Sequence, residues 1–393
     1  MQQTTLTDNL KFPETSTIHK TLFIVGAIGL LLSAIGYFTN VQQFFYSYLV
    51  SFTFVASILL GAVFFVMLQY ITRSNWSVVF RRIPETLSFN LYLLPIIFIP
   101  ILFGMENLYE WTRPEMLATD ALTQHKQPYL NMPFFIIRNI FYFSIWSYLG
   151  FKLYKNSVEM DETGDWDIDV KQRTISAPGI LLFAFTTAFA SFDWLMSLDS
   201  HWFSTMFGVY FFAMSFQVVL AVIILICAYL YKQGLLTNTI KRIHFNDLGY
   251  LLFGFSVFYA YISFSQFFLI YYANIPEETM WYMDRLHGNW TFFTYLFLIG
   301  RFILPFLLLL NKKSKANISL LTAVSIGIVI LHFFEIHWIV MPILHDNMSL
   351  SWLDITTLFG LSGIASGLFF HQFRKNSMVP NNDPLVIDSL NKH

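Results

Sequence analysis

The chain has 393 residues, of which 56% are hydrophobic and only 12% charged, with a mean hydropathy of +0.56. Soluble domains carry about twice that charged fraction, so the composition excludes an ordinary soluble domain and reads as an all-α polytopic membrane protein. A net charge of −1 gives nucleic acid no electrostatic purchase, and a single cysteine, Cys227, rules out an intrachain disulfide or a cysteine-based cluster.

Residues 1–20 are polar and read as a cytoplasmic tail. They lack the short apolar core and small-residue cleavage site of a signal peptide. Ten apolar runs follow, each near the roughly 20 residues that cross a bilayer. They are Thr21–Phe38, Phe45–Tyr70, Thr86–Gly104, Pro133–Leu153, Ile175–Leu195, Met206–Tyr231, Leu248–Tyr271, Trp290–Leu310, Ile318–Met341 and Leu353–Phe373. With both termini cytoplasmic, the outer loops hold only Arg113, Lys126 and Arg285. Arg138 and Arg301 fall within spans, and every other Lys and Arg lies at an inner end. That is the positive-inside distribution, which a missed span would scramble.

The chain therefore divides into the tail 1–20, a ten-span body 21–373 and a cytoplasmic tail 374–393. A faint internal echo runs through the body. Phe192-Asp193 ends span five and Phe334-Glu335 lies in span nine; Trp202 with Phe207-Gly208 and Trp352 with Phe359-Gly360 open spans six and ten. This fits two four-helix bundles, about 45–195 and 206–341, with two peripheral helices. The inner segment Asn156–Gln172 is acid-rich and reads as a solvated loop. The long outer segments Met105–Asn131 and Ala273–His287 are candidates for docking a partner.

Ionisable groups inside a span are costly and mark candidate sites. In LHFFEIHWIVMP, Leu331–Pro342, His332 and Glu335 are three apart and share a helix face, while His337 points elsewhere. By rise per residue, His332 and Glu335 sit roughly 5–9 Å outward of the midplane. Arg301 lies near the midplane and needs a partner, for which Glu335 is the most economical. The pair reads either as a structural ion pair or as a proton-handling or ligand-binding site, with Tyr259, Tyr261, Ser263, Ser265 and Gln266 available to extend a polar path. Asp193, near the outer surface, is followed by Asp199 and His201 and could receive and pass on protons. The scattered histidines do not form a metal or haem ligand set, so no metal is assigned and no catalytic residue is established.

Two segments carry a family resemblance: Phe192–Gly208, FDWLMSLDSHWFSTMFG, and Lys126–Asn131, KQPYLN, followed by Phe134, Phe135 and Arg138. They resemble the second of the two NrfD-like (polysulfide-reductase-type) membrane subunits of bacterial alternative complex III. The resemblance implies a multi-pass subunit of the bacterial inner (cytoplasmic) membrane, surrounded by lipids. It implies a respiratory quinol:electron-acceptor oxidoreductase that passes electrons to cytochrome c or to a terminal oxidase. The c-type haems and iron–sulfur clusters are then expected on partner subunits, beside a sister NrfD-like subunit. None of these groups would be bound by this chain, which would scaffold the complex and offer a proton route. Whether quinol contacts this chain is left open. Two other readings stand beside this one: a proton-coupled secondary transporter centred on Arg301 and Glu335, and a purely structural membrane anchor.

Overall fold

The computed structural model describes residues 8–392. It is 79% helical, with no strands among the described residues. Ten helices are long and apolar enough to cross a membrane: α1 (Ile18–Thr39), α2 (Val41–Ile71), α3 (Val78–Phe103), α4 (Met132–Thr163), α5 (Asp167–Leu198), α6 (Phe207–Lys232), α7 (Arg242–Ala273), α8 (Trp290–Leu309), α9 (Ile318–Ile343) and α10 (Trp352–Phe373). The chain is an all-α multi-pass membrane protein.

Helices α2 and α6 are apolar all round, the pattern of helices with neighbours on every side. They pack on each other at the centre, and α9 touches both. Around them, α3, α4 and α5 gather on α2, while α7 and α9 gather on α6. Helix α1 lies outside, held mainly by α10. Gly26, Gly29 and Gly36 of α1 meet Gly360, Gly363 and Leu353 of α10, so closely that a Cβ at Gly29 would lie 2.6 Å from the Gly360 amide nitrogen. Small residues allow this approach of backbones, which drives helix association where no hydrophobic effect separates helix from lipid.

Helix α8 is interrupted. Leu298–Ile303 is π-helical, with Pro305 just beyond. A proline lacks an N–H and crowds the carbonyl four residues earlier. That carbonyl belongs to Arg301, and it accepts instead from Gln217 Nε2 at 2.9 Å. The break thus turns the one charged residue of α8 toward α6.

One expectation needs correction. The segment Asn156–Gln172 is not a solvated loop: α4 runs on to Thr163 and α5 begins at Asp167. The extension is held by charge, because Asp161 pairs with the buried Arg82 of α3. The described parts of both tails are anchored. Met378 N–H donates to Leu10 O at 2.7 Å, Asp383 pairs with Arg81, Lys392 with Asp247 at 2.6 Å, and Asp8 accepts from Asn238 and Thr239. Residues 1–7 of the first tail and His393 lie outside the described residues. Both tails thus meet at one end of the bundle, called here the tail end.

Candidate functional site

Glu335 and His332 project from one face of α9, in its half toward the far end, and both are buried. Arg301, from the π-helical part of α8, forms an ion pair with Glu335 Oε2. Its remaining N–H groups are also satisfied. Nε and Nη2 donate to Gln217 Oε1 at 3.0 and 2.7 Å, and Nη2 donates to Met214 O at 3.3 Å. The guanidinium lies 4.4 Å over the Tyr259 ring. The other Glu335 oxygen accepts from the phenols of Tyr210 and Tyr259, the latter at 2.5 Å.

The Arg301 guanidinium fixes the His332 tautomer. An arginine can only donate, so Nη1, 3.3 Å from His332 Nδ1, requires that nitrogen to accept. The ring proton then sits on Nε2 and is donated to Ser57 Oγ at 2.7 Å. Ser57 passes its own proton to Phe54 O at 2.8 Å. The network therefore links α6, α7, α8 and α9 to α2.

Glu335, Tyr210 and Tyr259 also form one wall of a cavity of about 440 Å³. Phe264, Phe267, Tyr282, Phe297 and Trp338 contribute aromatic walls. It opens outward between the far-end halves of α7 and α8, where the lining residues Phe264 and Tyr295 are exposed. The short helix Pro276–Arg285 roofs it. Arg285 anchors that roof: it is buried, lies 3.6 Å over Trp281, and donates to the carbonyls of Trp281, Trp338 and Ile339 at 2.8, 3.1 and 2.6 Å. Burial drives its pKa below the usual arginine value, against the opposing charges of Asp284 and Asp199.

A second buried pair lies in the first half of the chain. Arg138 of α4 grips Asp193 of α5 through Nε at 2.9 Å and Nη2 at 2.8 Å, while Tyr142 donates to Asp193 Oδ2 at 3.0 Å. Arg138 also donates to Tyr129 O at 2.8 Å and lies 3.9 Å over the Tyr129 ring. This corrects the expectation for Asp193. It is not an acid at an open mouth but is fully buried, and neither Asp199 nor His201 is among its partners. Asp199 shapes the following turn by accepting from the His201 and Trp202 amides at 2.9 and 3.2 Å. His201 faces Asp120 at 3.2 Å in the outer segment.

The structure brings Arg301, His332 and Glu335 together, as the depth argument expects, and adds Tyr259. Ser263 and Gln266 line the cavity, whereas Tyr261 is exposed on another face of α7. His337 does diverge: it faces Asp354 of α10 at 3.4 Å, and Asp354 accepts from Ser47 at 2.6 Å. Tyr210, Gln217, Ser57 and Tyr142 were missed by sequence reasoning. A usable signal existed in α6, where Tyr210 and Gln217 are polar groups in an apolar run, seven apart and so on one face. Ser57 carried no such signal. Among the described residues, no group of three or more His, Cys, Asp or Glu is placed to hold a metal ion.

Compared with models of known protein families, the chain matches none. No curated protein matches it in sequence either.

Proposed function

We propose that this chain is a membrane subunit of a quinol:electron-acceptor oxidoreductase of the alternative complex III type, and that its own chemistry is proton handling at Glu335. The observation that carries the reading is a single buried carboxylate, held by one arginine and two phenols, on the wall of a lipid-side cavity. Quinol oxidation releases two protons with two electrons. The electrons leave through haems and iron–sulfur clusters on partner subunits, and the protons need acid–base groups in the membrane. A carboxylate works best in that role when its environment brings its proton affinity near ambient pH. The tyrosine hydroxyls can both give and take a proton, so they couple Glu335 to the cavity. The cavity's size and aromatic walls suit a ring-bearing occupant, which makes a quinol headgroup its natural guest.

The two segments that carry the family resemblance support the same reading, because they meet in space. Arg138 and Tyr129 close on Asp193, and Lys126 Nζ donates to Ser200 O at 2.6 Å. In this reading the tail end faces the bacterial cytoplasm and the far end faces the partner subunits.

The test is Glu335→Gln in the complex purified from native membranes through this chain. The c-type haem spectrum and the partner subunits should be retained, while proton release per electron pair falls. Unchanged proton stoichiometry would remove the proton-handling role. A chain that purifies folded, alone and colourless would remove the oxidoreductase reading and favour a transporter. Loss of the assembled complex, with normal stoichiometry in what remains, would favour a structural anchor.

A further inference from the structure

A separate feature lies at the tail end, remote from Glu335. A cleft of about 620 Å³ opens where the last residue of α6, the first of α7 and the turn leading into α9 come together. Three cations line it, one from each element: Lys232, Arg242 and Lys313. All three are exposed, and none of their side chains makes a hydrogen bond, ion pair or ring contact among the described residues. No acidic side chain lines the cleft. The acid in the first turns of α7, Asp247, is already taken by Lys392 at 2.6 Å. The nearby Lys315 is committed as well, buried with its Nζ 4.6 Å from the Tyr250 and Phe253 rings and donating to Leu310 O at 3.1 Å.

Like charges drawn into one concavity repel unless an anion sits between them. The N-terminus of α9 adds to the same field, since its first turn opens at Asn317 and Ser319 on the cleft wall. Tyr231 and Ile318 supply apolar surface beside the charges. Basic pockets between helix ends at a membrane surface suit lipid phosphates. We propose that this cleft binds the phosphate of an anionic lipid headgroup. Lys232, Arg242 and Lys313 supply the charge and the Ser319 hydroxyl supplies a neutral donor. The assignment does not depend on the quinol reading.

Native mass spectrometry of the full chain in a mild detergent tests it, with titration of phosphatidylglycerol, cardiolipin and phosphatidylcholine in separate arms and inorganic phosphate as a further arm. The expected result is retention of phosphatidylglycerol or cardiolipin over phosphatidylcholine. Affinity should weaken about fivefold per cation removed in Lys232→Gln, Arg242→Gln and Lys313→Gln, the scale set by one basic residue at an anionic surface. Lys313→Arg should keep the binding. Lys20→Gln and Lys155→Gln, which neutralise cations elsewhere at the same end, should leave it unchanged. Competition by millimolar inorganic phosphate would support the phosphate site with a soluble source. Equal retention of phosphatidylcholine, or equal losses from the control and cleft variants, would overturn the proposal.

Discussion

The Arg138–Asp193 pair yields a sharp quantitative prediction. Asp193 is fully buried and accepts three hydrogen bonds, two from the guanidinium and one from Tyr142. Asp193→Ala removes all three and leaves Arg138 with only Tyr129 O and the faces of the Tyr129 and Phe134 rings. An uncompensated buried charge costs about 3–5 kcal/mol. At an unfolding entropy of about 2 cal/mol/K per residue, a chain of this length should lose roughly 4–6 °C in thermal midpoint. The double variant Arg138→Met with Asp193→Leu removes both charges and fills the volume, so it should recover to within about 1 kcal/mol of the parent. Cys227 supplies the readout. It is the sole cysteine and is buried in α6, so a thiol-reactive fluorophore labels it only as the bundle opens. A midpoint unchanged in Asp193→Ala, or a double variant as unstable as the single one, would refute the claim that a stranded arginine sets the cost.

Other perturbations have local readouts. Asp354→Ala removes the carboxylate that accepts from the Ser351 amide at 2.8 Å and from Ser47, and also frees His337; it should cost about 1–3 kcal/mol, with faster hydrogen exchange at the start of α10. Gly29→Ala places a methyl against the Gly360 backbone and the Thr356 carbonyl, so about 1–3 kcal/mol of overpacking should appear as faster exchange in α1 and α10 and not in α6. Asp120 caps the short helix Ala121–Lys126, and its pKa is held below the ordinary carboxylate value by the Thr123 hydroxyl, then by the Leu122 amide, His201 and the Thr123 amide. A depressed carboxylate stabilises above its unfolded pKa and loses that contribution as pH falls through its folded pKa. The protection factor of this helix, its exchange corrected for the intrinsic pH dependence, should therefore stay constant from neutral pH down to about pH 4 and fall only below it. A loss of protection that begins well above pH 4 would show that the Asp120 cap does not set the stability of this helix.

The ten spans were legible because lipid imposes one simple demand, a long apolar run that satisfies its own backbone. Their ends were not. Helices α4 and α5 continue into charged sequence because Arg82 waits on α3 for Asp161, a contact across 79 positions that no local pattern reveals. The Arg301–Glu335 pair could be inferred because a midplane arginine has few possible partners. Arg138 and Asp193 escaped the same logic because Asp193 was placed a few residues too close to the surface, where a free carboxylate costs little. The described parts of the tails are held by hydrogen bonds and ion pairs to residues distant in sequence, which no local pattern reveals.

The two buried pairs also fall at corresponding places along the faint internal echo. Counting α2–α5 and α6–α9 as corresponding sets, the arginine comes from the third helix of each and the carboxylate from the fourth, with tyrosines alongside. The two sites nonetheless differ in geometry. Asp193 is locked in a planar fork, with each oxygen taking one N–H of Arg138. Protonating it would break that fork and strand the arginine, so the site favours permanence. Glu335 divides its oxygens, one toward Arg301 and one toward two phenols that also face the cavity. A phenol can rotate its hydroxyl, and Arg301 keeps Gln217 and Met214 as acceptors when the carboxylate changes state. The same pair of charges is therefore a planar fork in the first set and a divided contact beside the cavity in the second. The proposed proton handling is placed at the second pair because its arginine keeps two further acceptors, Gln217 and Met214, where Arg138 keeps one, the Tyr129 carbonyl.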